Sequence, residues 1–128
     1  MGTGTPIGRV RGLGAAKEGT HHWWRQRLTA GFNIALMGWL LLSLARIGGY
    51  DWASVHAWLA SPWVVVPMAA LIVNVFYHFR LGLQVVIEDY QHNETRVVLM
   101  VLLNVYTLGL MAIGLFAILK IAFTGAPR

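Results

Sequence analysis

Five side chains have types and positions suited to chemistry at or inside an apolar phase: Arg27, His78, Arg80, Asp89 and Tyr90. His78 and Arg80 sit in a run that is otherwise almost wholly apolar, with Asn74 and Tyr77 close by. An ionisable residue at membrane depth is costly enough to mark a functional position. Eleven residues separate His78 from Asp89. On a helix that interval is about 16 Å and nearly a whole number of turns, so imidazole and carboxylate share a face. Gly82, four residues beyond His78, removes a side chain from that face. The gap is of the kind a flat macrocycle needs.

Each of these residues has a bland reading beside the chemical one. His78 is either a hydrogen-bonding strut between helices or an axial ligand of a b-type haem, for which imidazole is the common donor. Bis-histidine coordination needs a second imidazole, and none lies at the same depth. His21, His22 and His92 fall at one membrane edge and His56 on the other side. A haem bound here takes its other ligand from a partner chain. Asp89-Tyr90 is either a helix end meeting water or a phenol placed to hydrogen-bond a carbonyl at the membrane surface, such as a quinone's. Arg80 projects about 200° from His78 on the helical wheel. Snorkelling, or pairing with a neighbouring subunit, accounts for it. Arg27 begins the first apolar run, within reach of an anionic lipid or a haem propionate.

Three apolar runs must position these groups. The chain has 128 residues, room for one domain, and is 57% hydrophobic and 12% charged. That charged share is about half that of a soluble domain. The first run, Leu28 to Ile47, carries no charge before Arg46 and ends at Gly48-Gly49. Its length covers the roughly 30 Å hydrocarbon core. Asp51 caps a short helix with Trp52, Val55, His56 and Leu59 on one face, suited to lying in the membrane plane. Ser61-Pro62 is a helix start and opens a second run, which extends to about Ile87. After the polar turn from Glu88 to Thr95, Asn93 is an N-cap candidate and Glu94 suits the first turn of the next helix. Gly109 and Gly114 in the third run offer close helix approach. The expected fold is an all-α membrane protein with three transmembrane helices, at about 28–47, 63–87 and 97–123. These form one unit over 23–128, preceded by an arm over 1–22.

Charge placement sets the orientation. Arg9, Arg11, Lys17, Arg25 and Arg27 precede the first run, whereas Gly48 to Pro62 holds no basic residue. The positive-inside rule puts the N-terminus in the cytoplasm (or matrix), returns the turn at Asp89 to that side, and leaves the C-terminus outside. Lys120 and Arg128 weaken this bias without reversing it. The same distribution argues against nucleic acid as the reason for the net charge of +5. The absence of cysteine excludes disulfides, thiolate ligands and thiol nucleophiles. Met1 to Thr20 shows no apolar stretch or cleavage pattern, so no secretory signal is expected.

The run His78-Phe79-Arg80-Leu81-Gly82-Leu83-Gln84-Val85-Val86-Ile87-Glu88-Asp89-Tyr90 resembles the second helix of the succinate dehydrogenase hydrophobic membrane anchor. In that family a haem-ligating histidine precedes an Asp-Tyr pair by the same interval. His22-Trp23-Trp24-Arg25-Gln26-Arg27-Leu28-Thr29-Ala30 is similar to that anchor's approach to its first helix, in the alphaproteobacterial and mitochondrial style. The resemblance covers nearly the whole chain. It implies a non-catalytic anchor of respiratory complex II in a bacterial inner membrane. Together with a second membrane anchor, the cytochrome b subunit, it would form a haem-binding helix bundle. An iron–sulfur subunit and a flavoprotein subunit would dock on it. By position His78 would ligate the iron of haem b, Tyr90 would bond ubiquinone, Asp89 would serve the quinone pocket, and Arg27 would meet a haem propionate. Arg80 departs from the pattern, in a stretch expected to be apolar or small.

Three other readings stand beside this one. A cofactor-free structural or assembly subunit would use His78 as a strut. A small transporter would run protons through His78, Arg80 and Asp89, but no internal repeat supports it. The anchor of a fumarate reductase would share the same architecture.

Overall fold

The first apolar run belongs to a helix that begins nine residues earlier, at Gly19, and ends at Ala45, two residues short of the expected Ile47. A computed structural model describes residues Gly19–Thr124, together with Pro6. Apart from Pro6 and residues 19–22, the arm expected over 1–22 lies outside the described residues. The helices are α1 (Gly19–Ala45), α2 (Trp52–Ala60), α3 (Pro62–Tyr90) and α4 (Asn93–Thr124). α1, α3 and α4 are each long and apolar enough to cross a membrane. At 1.5 Å per residue α3 is about 43 Å long and outreaches the hydrocarbon core. α1 at its N-terminal end, and α3 and α4 at both ends, extend past the apolar runs because polar residues at a membrane surface continue a helix without penalty.

Local chemistry sets the ends. Beyond Ala45 the chain tightens, with the amides of Arg46 and Ile47 donating to Ser43 O and Leu44 O at 3.2 Å each. This satisfies carbonyls that a helix C-terminus leaves open. Asp51 is the predicted cap of α2: its carboxylate accepts from Ser54 N at 3.2 Å and from Ser54 Oγ at 2.6 Å. A Cβ at Gly49 would stand 2.8 Å from Asp51 Oδ1, so any side chain there would displace the cap. Ser61, in extended backbone, ends α2 and starts α3, and Pro62 takes the first turn, where a missing N–H costs nothing. Pro67 lies inside α3, near its start, and the helix runs through it. Asn93 departs from the expected cap geometry. It adopts a left-handed φ of 58°, which asparagine tolerates better than most residues, because only Gln91 and His92 separate α3 from α4.

The Ser54 hydroxyl, followed by the Ser54 amide, holds the Asp51 carboxyl below its ordinary value. A depressed carboxyl pKa contributes stability that is present above the unfolded value and lost as pH falls through the folded one. Protection of the Ser54 amide from hydrogen exchange should therefore persist through the ordinary carboxylate range and fall only below it. In Asp51→Ala that protection should be absent at every pH.

α3 is the centre of the layer. α1 and α4 pack along α3, and their backbones nowhere approach each other within 8 Å. α2 closes one end against α3 and α4, and Trp58 Nε1 ties it to Ser43 Oγ of α1 at 2.9 Å. Of the two glycines expected at close approaches, Gly114 is at one: a Cβ there would lie 3.2 Å from Ile72 Cγ2 of α3. Gly109 faces open space. The buried apolar side chains among the described residues are Val64, Leu71, Leu81, Leu103 and Ile118, while Ile34, Trp63 and Phe123 are exposed. A layer one helix thick cannot bury its own apolar surface, so lipid or partner helices must cover both faces.

Candidate functional site

Two polar pairs, each spanning one helical turn, face each other between α1 and α3. Thr29 Oγ1 lies 2.8 Å from His78 Nδ1. One turn along, Asn74 Nδ2 donates to Thr29 O at 2.8 Å and to Asn33 Oδ1 at 2.7 Å. In a membrane each interhelical hydrogen bond contributes about 0.6 kcal/mol and rarely more than about 1.7. The ladder therefore fixes register more than it holds the helices together. Thr29 is buried, one of only two polar side chains so classed among the described residues, and His78 is half-buried.

His78 stands alone at this depth. His21 and His22 occupy the first turn of α1, His92 the α3–α4 turn, and His56 sits on α2 at the opposite end. Among the described residues no three His, Cys, Asp or Glu side chains converge as a metal-ion site. A single imidazole with one nitrogen engaged by a neighbour and the other uncommitted suits an axial haem ligand, and does not suit a multidentate ion site. Across α1, a Cβ on Gly82 would lie 3.5 Å from Gln26 Nε2, so Gln26 bounds the gap that the glycine leaves. Gln26 also lines a cleft of about 950 Å³ with His22, Arg25, Arg80, Gly82 and Glu88. Gln26 Oε1 and His22 Nε2 are buried there without partners.

Arg80 has a partner within the chain that neither expected reading named. Its Nε donates to Asn104 Oδ1 on α4. The 200° offset from His78 explains this: His78 faces α1 while Arg80 faces α4. At the end of the bundle Glu88 accepts from Gln84 Nε2 at 3.1 Å and pairs with Arg96 Nη2 at 3.3 Å, clasping α3 to α4. Asp89 and Tyr90 occupy the last turn of α3 and are exposed, Tyr90 to 77%. Among the described residues neither side chain has a hydrogen bond or ion pair. Arg27 is exposed on α1, two residues before Thr29 and therefore turned away from α3. Its Cζ stacks 5.2 Å from the Trp23 ring, and Trp23 meets Trp24 edge-on. The chain by itself does not bring Arg27 to His78.

His78 stands out in the sequence, whereas its neighbours Thr29 and Asn33, and Asn104 beside Arg80, do not. A signal for Thr29 and Asn33 was present: Thr29/Asn33 and Asn74/His78 are both four-residue polar spacings in consecutive apolar runs.

Three helices long and apolar enough to cross a membrane, with large apolar side chains exposed along them, define a multi-pass membrane protein. The profile of the family described as succinate dehydrogenase/fumarate reductase transmembrane subunit matches residues 1–121. The chain belongs to that family. It is 33% identical over 104 residues to a succinate dehydrogenase hydrophobic membrane anchor subunit of Rickettsia bellii, covering 80% of this chain and 82% of the relative. It is 25% identical over 116 residues to the protein of that name from Paracoccus denitrificans, covering 91% and 90%. It is also 33% identical over 103 residues to a succinate dehydrogenase membrane anchor subunit of Reclinomonas americana, covering 74% and 82%. Comparison with solved structures found no match.

Proposed function

We propose that this chain anchors a succinate:ubiquinone oxidoreductase, supplying one axial ligand to haem b and part of the ubiquinone-reduction site. The observation that carries the reading is the placement of His78 and Asp89-Tyr90 on one helix, the imidazole held at mid-bundle by Thr29 and the Asp-Tyr pair uncovered at the helix end. His78 Nε2 would hold the iron. When bound, haem b supplies a one-electron centre between this chain and a second anchor subunit, which provides the other ligand. Tyr90 Oη donates a hydrogen bond to a quinone carbonyl, and the Asp89 carboxylate beside it holds and hands on a proton at the membrane surface. Arg27, turned outward, serves a propionate only at the contact with that second subunit.

The basic residues at the start of α1, and their absence from Gly48 to Pro62, favour a bacterial inner membrane topology with the N-terminus cytoplasmic and the C-terminus periplasmic. That arrangement puts Asp89 and Tyr90 on the side where an iron–sulfur subunit and a flavoprotein would dock. The family description covers fumarate reductases too, but the relatives are named for succinate dehydrogenase, which favours succinate oxidation. Purification through a tag on this chain in mild detergent tests the reading. Flavin, iron–sulfur and haem absorbance should co-elute with two small membrane chains and with succinate-dependent quinone reduction. A tagged chain eluting without flavin or iron, from membranes that retain the activity, would overturn it.

A further inference from the structure

We infer that Thr29 is a positioning residue for His78, fixing the imidazole tautomer so that Nε2 is the ligating atom; this rests on the haem-anchor reading above. Thr29 Oγ1 carries one proton and two lone pairs. It lies 2.7 Å from Arg25 O and 3.2 Å from Gln26 O, both of which only accept. A separation of 2.7 Å between two oxygens is a hydrogen bond only if the hydroxyl proton lies between them. That proton is thus committed to the preceding turn of α1, and Oγ1 meets His78 Nδ1, 2.8 Å away, with a lone pair. The contact is attractive only if Nδ1 carries the ring proton. In the neutral ring Nε2 then holds the free lone pair.

Asn74 makes this alignment hard to lose. Its amide uses both protons on α1, at Thr29 O and Asn33 Oδ1, one turn from the imidazole contact. A slip of α1 against α3 would break both rungs together. The Thr29 carbonyl is held by Asn74 and its hydroxyl faces His78, so a single α1 residue joins the register lock to the ligand. Thr29 is buried, and water is a poor substitute for its hydroxyl. An acceptor on the far nitrogen of a metal-bound imidazole raises its basicity and favours the oxidised metal. Removing that acceptor should move the haem midpoint to more positive potential.

The test compares complexes carrying Thr29→Val, Thr29→Ala and Thr29→Ser, with His78→Ala alongside. The readouts are haem content, haem midpoint potential and the electron paramagnetic resonance of the ferric haem. Val and Ala should both shift the midpoint upward and alter the ferric spectrum while haem remains bound, and Ser should match wild type. Wild-type values in Val and Ala would overturn the inference, as would a Ser variant displaced as far as Ala. Retention of haem by His78→Ala would instead remove His78 as ligand and defeat the reading beneath. Loss of haem in His78→Ala, with wild-type potentials in Val and Ala, would defeat the positioning role alone.

Discussion

Replacing Tyr90 with phenylalanine is expected to slow ubiquinone reduction by about 10- to 100-fold while succinate oxidation with a water-soluble artificial acceptor stays at the wild-type rate. The phenol would donate to a quinone carbonyl that gains negative charge during reduction. A hydrogen bond to such a group contributes about 1.5–3 kcal/mol, and each 1.4 kcal/mol is about tenfold in rate. Phenylalanine keeps the ring and removes only the donor. Tyr90 is 77% exposed in this chain and its hydroxyl has no partner among the described residues, so the substitution leaves the chain's own packing intact. The two assays separate the roles. If both rates fall together, Tyr90 serves subunit docking; if neither falls, it does not touch the quinone.

The second large effect is expected at His78. In His78→Ala the b-type haem should be lost from the complex while the three helices remain. The Thr29 hydroxyl keeps its bond to Arg25 O, and Asn74 keeps both of its bonds to α1, so one rung of the ladder survives. The lost rung is worth about 0.6 kcal/mol, too little to unpack two membrane helices. The iron, by contrast, would retain a ligand from the partner chain only. Loss of haem without loss of the anchor separates the ligand from the strut, because a strut's removal would leave the haem in place.

The three helices were legible in the sequence because hydropathy over some twenty residues overrides every weaker signal. Asp51 was legible because capping is local chemistry, and the helix start at Ser61-Pro62 because proline fits the first turn, although the Ser61 side chain makes no cap hydrogen bond. Asn93 was not, since its left-handed backbone follows from how closely α3 and α4 are joined, a tertiary constraint. The helix ends beyond the apolar runs were not legible either, because hydropathy marks the hydrocarbon boundary and not the last helical residue. In the site, His78 announces itself by its cost at depth. Thr29 and Asn33 do not, as single hydroxyls and amides are ordinary in apolar helices and gain meaning only from the antiparallel register. Arg80 was assigned to lipid or a neighbour because a charge suggests a charged or wet partner. Its bond to the neutral Asn104, 24 residues away, depends on α4 folding back along α3.

The most direct test is a dithionite-reduced-minus-oxidised visible spectrum of the intact complex, purified through this chain, for wild type and His78→Ala at matched flavin content. A b-type haem band is expected in wild type and should be lost in the variant. An unchanged band in an intact His78→Ala complex would contradict this, as would a wild-type complex with no haem band at all.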